Sequence, residues 1–385
     1  MPGGRDAHRR DAVFVVYYTS YYRNSIMPDR PRMSLESLRA DSLLAEKLWG
    51  RMFSGLTAVT FREKGDTAFR QLWFDTLRAH QSRHFLEGLK KLGIRDDEPP
   101  AVKAAKYHYF TNAIGGLRME YIEESPRKVW IRYLAPMWTY AGVAMLALPG
   151  HARRTMGSAW HPRNGALLGA PGLQYVRCKT IMEGDPYDEG YFIEHDRALD
   201  PDEALLFKIE IRTPEFDPAK APQLDAALWP EERKLKARPK FAGGYVARTI
   251  SVLLTRFGLD STSYIVAQTM RLLAIQYIHE LKADQKIEGA DLAAVVALFS
   301  GLLRACRQDF TVEWDGARRC RLILSSYRPF DWEVPEELRD ALFHFQRMGA
   351  RVLNGHLKLT RKAFPEYGPT EHEVWEFEDT GRWLW

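Results

Sequence analysis

The feature that most constrains this chain is an order of hydrophobic periodicities that occurs twice. Apolar residues recur at helical spacing from Ser34 through Leu35, Leu38, Leu43, Leu44 and Leu48. Gly65-Asp66 then offers an N-cap for a long helix reaching about Leu92, with Phe69, Leu72, Trp73, Leu77, Phe85 and Leu89 on one stripe. Pro99-Pro100 opens a helix over about 101–114, which Gly115-Gly116 ends. Strand-like runs at 119–123 and 129–133 flank the turn Glu124-Ser125-Pro126-Arg127. A helix is expected over about 138–157, a Gly/Pro-rich loop over 161–172, and two more strands over about 173–182 and 190–195.

The stretch 213–240, punctuated by Pro214, Pro218, Pro222, Pro230 and Pro239, reads as an ordered linker. Beyond it the order returns. Helices are expected over about 245–257, with Gly258 as stop, over about 262–284 behind an Asp260-Ser261 cap, and over about 290–308. Runs at 310–314 and 321–325 flank Asp315-Gly316, a hairpin signal. A helix over about 335–352 and strands over about 356–361 and 372–378 complete the chain.

Helices grouped with hairpins, without βαβ alternation, predict an α+β fold of two similar lobes. Each lobe is expected to pack helices on a small, mainly antiparallel sheet. The expected division is 1–60 (N-terminal extended segment and helix, the aromatic part being 13–34), 61–212 (first lobe), 213–240 (linker) and 241–385 (second lobe). Sliding residues 159–195 by 184 positions without gaps pairs eight identities. They are Arg163/Arg347, Gly165/Gly349, Ala166/Ala350, Leu173/Leu357, Arg177/Arg361, Gly184/Gly368, Glu189/Glu373 and Glu194/Glu378. An internal duplication is the reading; two unrelated α+β halves with shared turn composition is the alternative.

Composition narrows the function classes. With 45% apolar and 27% charged residues the 385-residue chain is an ordinary globular sequence. Its net charge of +5 is mild, and no Lys/Arg-rich block marks a nucleic-acid face; Arg5, His8, Arg9 and Arg10 read as a frayed terminus. Cys178, Cys306 and Cys320 form no C-x-x-C, so neither a disulfide framework nor a cysteine-ligated metal is expected. The apolar runs 13–16 and 137–149 are too short to span a bilayer, which needs about 20 residues. The expectation is a cytoplasmic protein that meets a small-molecule substrate and neither nucleic acid nor membrane, with a homodimer left open. No motif names a cofactor. Dinucleotide, P-loop, nucleophile-elbow and EF-hand signatures are all absent.

The densest polar stretch is Glu183-Gly184-Asp185-Pro186-Tyr187-Asp188-Glu189-Gly190-Tyr191-Phe192-Ile193-Glu194-His195-Asp196. Strand alternation puts Glu189, Tyr191 and Ile193 on one face and Phe192 and Glu194 on the other. Carboxylates beside aromatics are candidates for acid–base work, which makes Glu189 and Asp188 the expected catalytic pair, with His195 as proton shuttle. The loop Trp160-His161-Pro162-Arg163-Asn164-Gly165 adds His161, and Arg132 or Arg163 as anion anchor. Trp138, Trp160, Tyr187 and Tyr191 are the expected aromatic lining. His80 and His84, with Glu87 on the same face, have metal-compatible spacing, but lacking further ligands they are not assigned a metal. His108 and His279 read as core or interface residues.

Residues 184–193 resemble the closing strand motif of the L-2-amino-thiazoline-4-carboxylic acid hydrolase family, whose wider relatives are the vinyl-4-reductase-type ligand-binding domains. The hairpin at 119–133 and the helix after Pro136-Met137-Trp138 fit the same order, so the resemblance covers roughly 105–197. Asp188 stands about where the family pattern has a cysteine, so thiol chemistry is not carried over. The resemblance implies hydrolysis of a small cyclic C–N bond, or ligand binding between helices and a sheet. The expectation is therefore a hydrolase using carboxylate/His acid–base chemistry, its working pocket in the first lobe. The alternatives are a non-catalytic ligand-binding or sensor module of the same architecture and a structural partner subunit.

Overall fold

Two long helices form the spine of the protein, and each turns at a glycine. The computed structural model describes residues 33–140, 144–210, 212–364 and 372–384. Apart from its last two residues, the expected aromatic segment 13–34 lies outside them. Helix α1 spans Leu35–Lys91 and turns at Gly65 (φ 80°, ψ −176°). The second long helix, α6 in chain order, spans Glu231–Asp284 and turns at Gly258 (φ 74°, ψ 177°). The two pack along each other. Gly55 lets them approach: a Cβ there would lie 2.9 Å from Thr269 Cγ2. Phe53 fills the space beneath, with ring centroids 4.9 Å from Trp73, 5.7 Å from Tyr245 and 5.9 Å from Trp138.

That backbone conformation, positive φ with ψ near 180°, is essentially open to glycine alone. A Cβ at Gly65 or Gly258 meets nothing within 4 Å. The expected cost of Gly258→Ala is thus backbone strain only, about 1–3 kcal/mol, with a similar cost for Gly65→Ala. Urea denaturation of each variant checks this, and a loss below about 0.5 kcal/mol would show that the turn has another cause.

The first sheet contains β1 (Arg118–Ser125), β2 (Lys128–Leu134), β3 (Leu173–Lys179), β4 (Tyr187–Glu194) and β5 (Leu205–Phe207), in the order β1-β2-β4-β3-β5. All its pairings are antiparallel except β3 with β5. Helix α2 (Pro100–Ile114) lies on it. The second sheet contains β6 (Phe310–Asp315), β7 (Arg319–Leu324), β8 (Leu357–Phe364) and β9 (His372–Asp379), in the order β6-β7-β9-β8, antiparallel throughout. Helices α7 (Leu292–Ala305) and α8 (Glu336–Leu353) lie on it. Without β5 the two strand orders are the same. The fold is α+β, with each sheet packed on helices.

Three local expectations need correction. The helix expected over 138–157 is broken into a single 3-10 turn (Trp138–Tyr140), α3 (Ala144–Ala147) and α4 (Ala152–Trp160). Pro149-Gly150 supplies the break, since proline lacks the N–H a continuing helix needs. The loop expected over 161–172 contains α5 (Arg163–Leu168), started after Pro162 and closed by Gly169 in the left-handed conformation. The expected linker ends at Pro230, not at 240. Glu231 and Glu232 open α6 with the charge a helix N-terminus favours, and packing on α1 carries the helix through the buried Pro239. Among the described residues, no helix is long and apolar enough to cross a membrane.

Candidate functional site

Because side chains alternate along β4, its two adjacent acids part company. Asp188 and Phe192 face inward, toward the helices and the main core. Glu189 and Tyr191 face outward, where Tyr191 packs with Trp130 and Val176 in a separate small cluster. Both acids are fully buried, for different reasons.

The outer face is covered by the chain that follows β5. Arg132 donates to Glu189, to Glu120 at 2.9 Å and to the Pro214 carbonyl at 2.5 Å. Lys179 lies 3.0 Å from the other Glu189 oxygen and 3.4 Å from Thr213 Oγ1. Tyr187 packs under both cations, and the Tyr191 hydroxyl donates to Glu210 at 3.2 Å. The expected acid Glu189 and the expected anchor Arg132 are therefore each other's ion-pair partners.

The inner face is where chemistry gathers. Asp188 accepts from Arg153 of α4 and from the Ile181 N–H at 3.0 Å. Arg177 of β3 lies 3.8 Å away and is itself buried. Gly157 makes room for it: a Cβ there would stand 3.0 Å from Arg177 Nη2. The Arg153 guanidinium sits 5.1 Å from the Tyr133 ring centroid. The Tyr133 hydroxyl is 2.9 Å from His161 Nε2, and the His161 ring stacks on Tyr175 at 4.2 Å. His108 lies beside it at 4.5 Å, its Nε2 2.8 Å from Asn164 Nδ2. Gln81 fixes Asn164 by donating to its Oδ1 at 2.7 Å, so the amide nitrogen donates and His108 Nε2 accepts.

Burial sets the protonation of this cluster. It lowers His108 to about 3 and holds His161 well below the ordinary imidazole value, with neighbouring Arg177 adding to both effects. Both rings are neutral at pH 7. Burial also raises the Tyr133 hydroxyl far above its usual value. Tyr133, Arg153, His108, His161, Trp160 and Tyr245 line a cavity of about 50 Å³.

Of the expected site residues, the fold brings Asp188, His161 and Trp160 to this inner region. Glu189, Arg132, Tyr187 and Tyr191 lie on the opposite face. His195 sits beyond the end of β4, 3.2 Å from Gln174 Oε1. Arg163 is on the surface, donating to Ser82 at 2.7 Å. Trp138 belongs to the aromatic core around Phe53 and Tyr245. His80 stacks on Tyr245 at 4.2 Å, and Glu87 pairs with Lys91 at 2.7 Å instead of with the histidines. Among the described residues no three His, Cys, Asp or Glu side chains are placed to hold a metal. Burial pushes Cys178 up to about 12 and Cys320 to about 11, and raises Cys306 further, so none offers a thiolate near neutrality.

Sequence reasoning missed Arg153, Arg177 and Tyr133, and read His108 as a core or interface residue. One signal was present: Arg177 and Arg361 are among the eight paired identities. In the second sheet Glu373, Trp375 and Phe377 face inward. The cross-strand pair Tyr175–Phe192 corresponds to Leu359–Phe377. Counting back four residues from each phenylalanine makes Glu373 the counterpart of Asp188. The gap-free sliding match paired it with Glu189, one residue off, and a one-residue slip in a strand changes the face. Glu373 lies 2.9 Å from Arg361 Nε and accepts from Trp375 Nε1 at 2.7 Å. Arg339 sits 4.8 Å from the Tyr327 ring centroid. A cavity of about 80 Å³, lined by Trp49, Phe299, Tyr327, Phe343, Phe345 and Glu373 among others, adjoins this pair. No protein-family model, curated protein or solved structure matches this chain.

Proposed function

We propose that this chain is a small-ligand-binding module made of two copies of one α+β unit, with its ligand held behind the first sheet. The duplication is supported by the shared strand order, by the two glycine-turned long helices and by a repeated constellation. Asp188 and Arg177 in the first half answer by register to Glu373 and Arg361 in the second, and each half also sets an arginine against a tyrosine ring, Arg153 on Tyr133 and Arg339 on Tyr327. The observation that carries the binding reading is the inner cavity: an arginine and two neutral histidines on a wall of aromatic side chains with Leu77, Met156, Thr111 and Asn112 among them. A general acid or base needs a proton-transfer group within reach of the ligand. Asp188 is engaged by Arg153, and Glu189 is on the far face.

A hydrolase acting on a cyclic C–N bond is the second reading, and the Tyr133–His161 contact of 2.9 Å favours it as a proton relay. A panel of small amides, lactams and cyclic amidines separates the two. The binding module predicts a saturable rise in Tm with some members and no product by mass spectrometry. Product formation that His161→Ala abolishes would replace it with the hydrolase.

A further inference from the structure

Arg177 is 2% exposed, yet none of its three guanidinium nitrogens has a hydrogen-bond acceptor among the described residues. Its ion-pair partner is Asp188 at 3.8 Å, and Arg153 already holds that carboxylate by a direct hydrogen bond. A buried charge is costly unless it is paired and hydrogen-bonded. The second half shows how the fold answers the same charge. Arg361 donates to Glu336 at 2.6 and 3.0 Å, and Glu373 lies 2.9 Å from its Nε. Glu336 is the first residue of α8, whereas α4 begins with Ala152. The spacing from Ala152 to Glu336 is 184 residues, the same as from Arg177 to Arg361. The first half therefore carries the arginine without the second carboxylate.

Resting on the ligand-binding reading above, we infer that the cavity behind the first sheet binds a small monoanion, which takes Arg153 from Asp188 while Asp188 closes on Arg177. The exchange leaves each guanidinium with its own carboxylate or anion. Arg153 lines both the cavity and the Asp188 contact, so it is the group that changes partner. Trp160 lines the same cavity, and its indole N–H has no acceptor among the described residues. About 10–15 Å³ of such space holds one water. The 50 Å³ here therefore admits an anion of a few heavy atoms, such as acetate, and excludes a nucleotide.

Thermal unfolding of the full chain at fixed ionic strength, titrated with acetate or with its neutral isostere acetamide, tests the inference. Acetate should raise Tm saturably, by about 3 °C at a hundredfold excess over half-saturation. Acetamide should not raise it. Arg177→Met should remove the acetate response and leave the ligand-free Tm at or above that of the wild type, because a buried cation short of partners is replaced by an apolar chain. Asp188→Asn should lower the ligand-free Tm and enlarge the acetate shift. An acetamide shift equal to that of acetate, or an acetate response retained in Arg177→Met, overturns the anion inference and leaves the binding module standing. No response to acetate, with shifts from the neutral cyclic panel, overturns the inference alone. Silence from acetate, acetamide and that panel together removes both.

Discussion

Acidification should unfold this protein through its buried histidines. Burial holds His80, His108 and His161 below the ordinary imidazole value, His108 at about 3. The unfolded chain takes these protons near pH 6.5, and the folded chain resists them. Their contribution to stability is therefore complete above pH 6.5 and is lost as pH falls toward the depressed folded values. Each adds a slope of about 1.4 kcal/mol per pH unit across that window. His84, also lowered to about 4, is exposed and adds less. Urea midpoints measured from pH 8 to 4.5 should fall with a slope of more than one proton per molecule. His108→Gln, which can still meet Asn164, should flatten it by about one proton. A profile flat to pH 5 would contradict the neutral, buried state of this cluster.

Arg132→Met should be among the most damaging single substitutions. It leaves Glu189 buried with Lys179 as its remaining ion-pair partner and also removes the donors to Glu120 and to the Pro214 carbonyl. Breaking a buried pair from one side typically costs about 3–5 kcal/mol. Lys179 places the expected loss near the lower end. The double variant Arg132→Met/Glu189→Leu should recover much of it, since replacing both partners removes the stranded charge. Glu189→Gln should likewise lower stability while leaving ligand-induced Tm shifts at the inner cavity unchanged, because Glu189 faces the other way. A Glu189→Gln variant of wild-type stability that had lost the ligand response would return Glu189 to the functional site.

Local signals carried much of the architecture. Gly65 and Gly258 mark the turns of the long helices. Pro99-Pro100 opens α2, Asp315-Gly316 lies at the second hairpin, and the acids of β4 alternate as their spacing says. These features depend on a residue and its near neighbours, through φ/ψ preference and side-chain period, so they are legible without the fold. The break at Pro149-Gly150 was legible too, but the apolar run before it, 137–148, reads as a helix that continues past it.

Which face of the sheet holds the candidate site was a tertiary decision. Period-2 spacing separates Asp188 from Glu189 but does not say which of them meets the helices. That followed from α2 packing on one face of the sheet and from the segment after β5 crossing the other. The inner cluster draws Tyr133 from β2, Arg153 from α4, His161 from the turn before α5 and Arg177 from β3. No local spacing joins four such elements. Their protonation also depends on burial, which exists only once the sheet and helices have closed around them. The sequence alone determined the order of elements and the residues able to turn them. Packing alone decided which carboxylate a guanidinium neutralises and which arginine stays short of a partner.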